Sequence, residues 1–335
     1  MASSTPATSE PKYVHYSQIS TWLTCKHKHD LSYIERLETN RRIERMQFGT
    51  FGHAALADAW LGTPGERFNK ALGEAIEDNP DDRFAISEMA MEAMSVALRV
   101  HADLAKRFRV HKDNVEKTLT VDGGWGLPFG GTPDVIVEDV NDGSIWILDY
   151  KFRASFLEPD SELLNLQMIT YQWLAIENDI PVVGTRQVQI RPYLPKEPKV
   201  NKTGGMSRAD LMSDWPTYKL ALEREGLDPA EYLDMEAKLA SKVFWDVDTC
   251  RAIRSREELA YFANGEIIPA IKSVIARRHE VDRSGRCFNS LVCSWCSFNE
   301  LCVEEAKGGD VEFMKQTLYR IKGTRMTVPV LEEDV

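Results

Sequence analysis

Residues 130–152 read GGTPDVIVEDVNDGSIWILDYKF, and this stretch carries the strongest structural signal in the chain. An Asn-Asp-Gly run near its middle indicates a turn, because Asp-Gly readily takes positive φ, so we predict two short strands joined as a hairpin. Side chains alternate between the faces of a strand, so Asp149 and Lys151 share one face of the second strand. Asp134 lies on the first strand, and pairing can bring Asp134 and Asp149 close enough to hold one divalent cation. The alternative is that they are solvated residues at strand ends.

The composition limits the functions that the chain can have. With 335 residues it can form one large or two medium domains with a substantial core. No run of about 18 apolar residues is present, so we expect no membrane span. The N-terminal residues lack a signal-peptide pattern, so we expect a cytoplasmic location, in the host if the chain is phage-encoded. A formal net charge of −11 argues against a generally adhesive nucleic-acid binder but allows a locally basic groove.

Four of the six cysteines lie within sixteen residues near the C-terminal end. Such crowding in a cytosolic chain favours metal or cluster ligation over disulfides. Cys293 and Cys296 are separated by two residues, and Cys302 follows after five more, so these three thiolates can hold three corners of a metal centre. The fourth ligand must come from elsewhere, and Cys25 is the best candidate. Cys287 could take that place instead and complete a compact zinc site.

The hydrophobic pattern predicts an α/β fold. Residues 81–110 and 161–177 have the apolar spacing of helices, whereas residues 182–194 alternate like a strand. Residues 117–121 form a further candidate strand before the hairpin. In this order the second helix can cross over from the hairpin to the last strand, as in α/β units.

Six short motifs occur across about residues 16–305. In chain order they are S-x-x-x-x-C ending at Cys25, G-x-x-x-H ending at His53, the PD of Pro133 and Asp134, the D-x-K of Asp149 and Lys151, the Q-x-x-x-Y of Gln167 and Tyr171, and the cysteines Cys293, Cys296 and Cys302. In this order they resemble the PD-(D/E)XK nuclease superfamily, and within it the RecB-like iron–sulfur exonucleases related to CRISPR-adaptation nucleases and phage recombination exonucleases. Asp149 stands where many relatives have glutamate, which the motif permits, and residues 195–250 match no motif.

The resemblance implies a restriction-endonuclease-like core, a mixed sheet flanked by helices, and a role for each motif residue in it. Asp134 and Asp149 would bind Mg²⁺ or Mn²⁺ together with the backbone carbonyl of Tyr150. His53 would complete the coordination, and its nitrogen tilts the preference toward Mn²⁺. Lys151 would orient or help deprotonate the attacking water and offset developing negative charge.

Two further groups of residues have roles that the resemblance implies. Gln167 and Tyr171, four residues apart on a predicted helix, would position Lys151 or a substrate phosphate. A [4Fe-4S] cluster would join the N- and C-terminal helical segments through the four cysteines of the motifs: Cys25, Cys293, Cys296 and Cys302. This cluster would be structural, because its ligands flank the nuclease core and its binding energy would contribute to folding.

We therefore predict a modular chain in which other segments flank a nuclease core. The segments are a disordered lead-in (1–12), an N-terminal helical segment (13–46), the nuclease core (47–194), a helical insertion of unknown role (195–250), a C-terminal helix with the cysteine cluster (251–312) and a tail (313–335). The implied function is a divalent-metal-dependent DNA exonuclease acting on single strands or DNA ends in phage or bacterial recombination, repair or spacer processing. Its partner would be a recombination or CRISPR-adaptation protein.

Two alternatives remain open at this stage. One is a DNA-end-binding regulatory subunit with an iron–sulfur or zinc staple and little cleavage, for which loss of an acid or the lysine would be the expected mark. Both acids, Asp134 and Asp149, and the lysine, Lys151, are present. The other alternative is a zinc-stapled protein without a nuclease role, which its metal content would reveal.

Overall fold

The fold was analysed in a computed structural model. The residues that it describes are 13–40, 44–202, 204–209, 212–280 and 285–322. The predicted lead-in over residues 1–12 and the last part of the predicted tail, from residue 323 onward, lie outside the described residues. Within the described ranges, no helix is both long and apolar enough to cross a membrane.

Helices and strands alternate along the chain, as the sequence pattern predicts. The α-helices of the described residues are α1 (Tyr16–Thr24), α2 (Lys26–His29), α3 (Glu44–Leu61), α4 (Glu66–Asp78), α5 (Arg83–Arg107), α6 (Leu166–Glu177), α7 (Trp215–Arg224), α8 (Leu233–Leu239), α9 (Arg256–Phe262), α10 (Ile268–Arg277), α11 (Ser290–Ser294), α12 (Asn299–Lys307) and α13 (Val311–Leu318). The strands are β1 (Val14–His15), β2 (Leu37–Thr39), β3 (Phe108–Val115), β4 (Leu119–Val121), β5 (Phe129–Gly131), β6 (Val135–Asp139), β7 (Ile145–Phe152), β8 (Val182–Ile190), β9 (Trp245–Asp246), β10 (Arg251–Ala252) and β11 (Tyr319–Ile321).

A six-stranded mixed sheet lies at the centre of the fold. Its strand order is β10-β8-β7-β6-β3, and β9 also pairs with β8. Strands β7 and β8 are parallel and are connected through α6, whereas the other pairs are antiparallel. The crossover from the hairpin to the last strand is therefore as predicted, and a mixed sheet flanked by helices fits a restriction-endonuclease-like core. Two small sheets, β1-β5-β4 and β2-β11, accompany it.

The predicted hairpin is formed by β6 and β7. Ile136 lies opposite Ile147, and Val135 lies opposite Leu148. The turn between the strands uses Gly143 with φ of 72°, a conformation that costs glycine little because it has no Cβ. One further step in this register places Asp134, just before β6, across from Asp149, so the hairpin brings the two acids to one end of the sheet.

The two faces of the sheet contribute to separate apolar clusters. Leu148 and Tyr150 of β7 face α3 and α5 in one cluster, whereas Ile147 faces α6 and α10 in the other. This is the alternation that the sequence predicts for the second strand. Full burial of each large apolar side chain is worth about 1.5–3 kcal/mol, so both clusters fix the position of β7 and of the polar residues at its end.

Strand β3 corrects one prediction. The helix predicted for residues 81–110 ends at Arg107, and the chain continues as a strand antiparallel to β6 at the edge of the sheet. The sequence of β3, FRVHKDNV, is mostly polar, and only its first and last residues, Phe108 and Val115, are buried. An edge strand that faces solvent has little hydrophobic alternation, which is why the helical pattern before it extended too far.

Residues near the two ends of the chain meet in space. Strand β2 pairs with β11, so Leu37 lies opposite Ile321. Close by, the buried guanidinium of Arg277 donates two hydrogen bonds to the Asp30 carboxylate, at 2.9 and 2.7 Å. Charge-assisted bidentate pairs of this kind fix orientation as well as distance. They hold the segment that carries Cys25 against the C-terminal helices.

The segment between β8 and β9 has an apolar cluster of its own. Helices α7 and α8 contribute Tyr218, Leu222 and Met235 to this cluster, and all three side chains are buried. The chain then returns to the central sheet through β9 and β10. The assignment of residues 195–250 as an insertion of unknown role stays a prediction.

Candidate active site and cysteine cavity

Asp134 is held by two of the predicted site residues. Its Oδ1 lies 3.0 Å from Nδ1 of His53, and its Oδ2 accepts a 2.6 Å hydrogen bond from the backbone N–H of Tyr150. Burial alone would raise the pKa of Asp134, but the charge and hydrogen bond of His53, the Tyr150 N–H and the Lys151 charge together hold it below its usual value. Asp134 is therefore ionised at neutral pH.

Asp149 has the opposite electrostatic environment. It is only 2% exposed, and its Oδ2 lies 2.6 Å from Nζ of Lys151. Burial and the nearby charge of Asp134 raise the pKa of Asp149 to about 6, although Lys151 and His53 oppose this shift. The pair of aspartates is thus short of positive charge, which a divalent cation would supply.

His53 reaches the site from α3, and a glycine allows this helix to lie close to β7. A Cβ on Gly52 would lie 2.2 Å from Cζ of Phe152, so no larger residue fits without a shift. The His53 ring lies 5.7 Å from the Phe152 ring. The pKa of His53 is raised, because Asp134 outweighs the effect of burial. His53 and Asp134 consequently form an ion pair when the imidazole is protonated.

Tyr150 connects β7 to the same helix, on the face of the sheet that packs against α3. Its hydroxyl accepts a 2.7 Å hydrogen bond from Nε1 of Trp60, and burial raises the pKa of the Tyr150 phenol. The backbone N–H of Tyr150 donates its hydrogen bond to the carboxylate of Asp134. The predicted role of its carbonyl as a metal ligand stays a prediction.

Gln167 and Tyr171 lie together on α6, as their spacing predicts. Nε2 of Gln167 donates a 3.0 Å hydrogen bond to the hydroxyl of Tyr171. Burial raises the pKa of Tyr171, and the charges of Asp149 and Asp134 add to this shift, so the phenol lies within electrostatic reach of both acids. The hydrogen bonds found within the described residues join this pair to each other but not to Lys151.

An open cavity of about 760 Å³ adjoins the site. His53 and Lys151 line it together with an ion pair that the sequence did not reveal, in which Nε of Arg67 lies 2.8 Å from Oε2 of Glu116. Glu116 has φ of 48°, and its N–H donates a 2.9 Å hydrogen bond to the carbonyl of Asp134. Neither Arg67 nor Glu116 belongs to a sequence motif, because only folding brings them beside the motif residues.

The polar side chains of the site suit a metal ion by their chemistry but not by their placement. Across the ranges that the structure describes, no group of three or more His, Cys, Asp or Glu side chains is placed to hold one; His53 instead pairs with Asp134, and Lys151 with Asp149. The chemistry nevertheless fits a hard divalent cation, because carboxylate oxygens are its preferred ligands. In addition, the buried Oδ2 of Asp149 lacks a hydrogen bond of ordinary geometry from any described residue.

Five cysteines line a second cavity, of about 370 Å³, between the two chain ends. They are Cys25, Cys287, Cys293, Cys296 and Cys302. None of the five forms a disulfide and all are partly exposed, and the sulfur atoms of Cys287 and Cys293 lie 3.7 Å apart. The structure thus brings the predicted cluster ligands around one cavity, and it keeps both Cys25 and Cys287 as candidates for the fourth ligand.

The chain resembles a known protein family in sequence and a solved structure in fold. The family model described as the PD-(D/E)XK nuclease superfamily matches residues 14–303. No curated protein matches the sequence significantly. The fold is similar to the crystal structure of a protein from Eubacterium rectale that is provisionally named an exonuclease, at 12% identity over 76% of this chain and 94% of that chain. The TM-score of 0.36 is too low for that similarity to extend the argument.

The match to the family model covers most of the chain, and its range includes the motif residues of the β6–β7 hairpin and of α6. It confirms the predicted superfamily and supports a nuclease, whereas the RecB-like iron–sulfur subgroup stays a prediction. The chain belongs to the PD-(D/E)XK nuclease superfamily.

Proposed function

We propose that this protein is a divalent-metal-dependent deoxyribonuclease, and that it acts as an exonuclease on single-stranded DNA or DNA ends. The observation that carries the proposal is the arrangement of Asp134, Asp149 and Lys151 at the end of the β6–β7 hairpin. The two acids lie in one electrostatically coupled site, with Lys151 2.6 Å from Asp149. This is the order of residues in the family motif, at the edge of an open cavity.

The residues that would hold Mg²⁺ or Mn²⁺ are Asp134, Asp149, the carbonyl of Tyr150 and Nδ1 or Nε2 of His53. When bound, the cation would neutralise charge on the scissile phosphate and make water more acidic. The low pKa of Asp134 keeps this carboxylate available as an anionic ligand at neutral pH. The raised pKa of Asp149 shows that its charge is the one in need of compensation.

Lys151 would act on the substrate rather than only on Asp149. Its side chain is 29% exposed and lines the cavity, and its ammonium group is positioned by Asp149. From there it would stabilise the negative charge that develops on the phosphate and orient the attacking water. The Gln167–Tyr171 pair on α6 would contact Lys151 or a neighbouring phosphate, as the motif implies.

A [4Fe-4S] cluster is the second part of the proposal. We assign Cys25, Cys293, Cys296 and Cys302 as its ligands, because their spacing matches the subgroup and their side chains line one cavity. The β2–β11 pair and the Asp30–Arg277 ion pair already hold the two chain ends together, so the cluster would strengthen an existing contact. Zinc held with Cys287 as the fourth ligand is the competing assignment.

A role in recombination, repair or spacer processing, with a recombination or CRISPR-adaptation partner in the cytoplasm, also rests on the subgroup resemblance. The activity itself is tested with anaerobically purified protein on 5′- or 3′-end-labelled single-stranded DNA and Mn²⁺, with Asp149→Asn beside the wild type. We expect cleavage by the wild type only, and resistance of a circular single strand, because an exonuclease needs an end. Iron, sulfide and zinc contents are measured on the same sample.

Each other outcome selects a different assignment. Cleavage of the circular strand would contradict the exonuclease type while leaving a nuclease. A protein that binds DNA ends without cutting them would favour the regulatory-subunit alternative. A zinc-containing preparation without iron would contradict the iron–sulfur cluster but not the nuclease.

A further inference from the structure

The strand beside the D-x-K motif carries a polar side chain that no motif includes. Gln187 of β8 pairs in parallel register with Asp149 of β7. Paired residues on neighbouring strands project to the same face of the sheet, so the amide of Gln187 stands beside the carboxylate of Asp149. Each of these two side chains is only 2% exposed. The interior of the proposed metal site is therefore bounded by an amide as well as by an acid.

One oxygen atom of this pair, Oε1 of Gln187, lacks a hydrogen-bond partner among the described residues. Oε1 of Gln187 and Oδ2 of Asp149 are both buried. Lys151 pairs with Oδ2 of Asp149 electrostatically, at 2.6 Å. Buried oxygen atoms almost always have a partner, because an unpaired one loses its hydration without compensation. A buried amide oxygen without a partner, on the strand position beside a carboxylate that Lys151 already contacts, therefore points to a ligand position for a cation.

Neighbouring polar residues on the same face of β8 show that this is a local feature. Gln189 is fully buried, and its Oε1 accepts a hydrogen bond from the N–H of Leu157 while its Nε2 donates to the sulfur of Cys250. Two residues before Gln187, Thr185 donates a 3.1 Å hydrogen bond to Glu162. The unpartnered oxygen thus occurs only at the residue that stands beside Asp149 along this described stretch.

We infer that Gln187 supplies an additional oxygen to the metal centre, directly or through one water molecule. Amide oxygens are ordinary ligands of hard divalent cations, and groups just outside the first coordination sphere tune metal affinity. A neutral oxygen also adds a donor without a third negative charge, beside two acids that already repel each other. The inference rests on the proposed function, because it concerns the same cation.

The test measures Mn²⁺ binding without DNA, by calorimetry, together with the melting temperature in metal-free buffer. Gln187→Leu should weaken Mn²⁺ binding on the order of 10-fold, while its melting temperature without metal stays the same or rises, because an unpartnered buried oxygen is removed. The matched control is Gln189→Leu, which removes satisfied hydrogen bonds two residues away. It should lower the melting temperature and leave Mn²⁺ affinity unchanged. Gln187→Glu retains an oxygen and should retain Mn²⁺ binding.

The outcomes separate this inference from the proposed function. If the wild type binds Mn²⁺ and Gln187→Leu binds it equally well, Gln187 has no part in the metal centre and only this inference is wrong. If Gln187→Leu loses as much stability in metal-free buffer as Gln189→Leu, the role of Gln187 is structural and the inference is again wrong. A wild type that binds no Mn²⁺ would contradict both this inference and the metal dependence of the proposed nuclease.

Discussion

The carboxylate site and the cysteine cavity are positioned by the fold in different ways. Asp134 and Asp149 are placed by the register of two paired strands. Asp149 is buried and Asp134 partly buried, and they are already paired with Lys151 and His53 respectively. The cysteines come from helix ends and short turns at opposite ends of the chain, and each is partly exposed. The carboxylate site is therefore part of the folded core and should keep its shape without a cofactor. The cysteine cavity depends on contacts between the chain ends, so a cluster would stabilise it.

Removing the charge of Asp149 should have the largest effect on function and little effect on the fold. Asp149→Asn keeps the size of the side chain but removes a metal ligand and the partner of Lys151. We expect initial rates on end-labelled DNA to fall about 10³-fold, with a melting temperature no lower than that of the wild type, because a buried charge is also lost. A variant that retained activity would contradict the role of Asp149, and an unfolded variant would contradict the view that the fold holds this site without a metal.

Removing Cys25 should affect the cysteine cavity and leave the carboxylate site intact. Cys25→Ser should lose nearly all iron and visible colour, and proteolysis should then release residues near the chain ends before the central sheet. Cys250→Ser is the control, because Cys250 contacts Gln189 and lies outside the cysteine cavity. The same measurement on Cys287→Ser identifies the fourth ligand: loss of iron in that variant, with retention in Cys25→Ser, would reverse the assignment.

In metal-free buffer, the pH dependence of stability should reveal the raised pKa of Asp149 in the carboxylate site. The pKa of Asp149 is raised from 3.8 to about 6 in the folded chain, so the folded state binds more protons than the unfolded state between these values. Its contribution to the free energy of unfolding should therefore fall as the pH rises from about 4 to 6, by about 2–3 kcal/mol in total. Denaturant titrations should show a steeper slope in the wild type than in Asp149→Asn, where Glu162, whose pKa burial also raises, to about 7, still contributes. Equal slopes in both proteins would contradict the electrostatic account of Asp149.

The smallest effect should come from the glycines of α3, which set the distance between this helix and β7. Gly52→Ala places a Cβ against Phe152 and should cost about 1–3 kcal/mol of stability, with weaker Mn²⁺ binding because the neighbouring His53 moves. Gly49→Ala is the matched control, since no described atom lies within 4 Å of its added Cβ. It should be neutral or stabilising by up to about 1 kcal/mol. Equal effects of the two substitutions would show that the close approach at Gly52 does not matter.

The β6–β7 hairpin was predictable because the sequence signals that define it are local. Alternation along one strand places Asp149 and Lys151 on the same face, and the turn residues fix the register with Asp134. The spacing of Gln167 and Tyr171 predicted their contact on α6 for the same reason, and it is confirmed. Motif order supplied the superfamily, which a single physical pattern could not have done.

Residues that join the site across long sequence distances were not predictable. Arg67 and Glu116 meet only because α4 and the end of β3 converge on one cavity, and Gln187 is neighbour to Asp149 only through strand pairing. Strand β3 escaped detection because it is polar and lies at an edge. The sequence also could not decide whether Cys25 or Cys287 is the fourth ligand, and both thiols face the same cavity.

The pairing of β2 with β11 has a consequence for the order of events during protein synthesis. Leu37 cannot meet Ile321 until the ribosome has added all of the residues between them. The β6–β7 hairpin needs only neighbouring residues and can pair much earlier, since local contacts close faster than distant ones. Cys25 is thus made long before its neighbours Cys293, Cys296 and Cys302, and the cavity that all of them line cannot form until the last of these has been added.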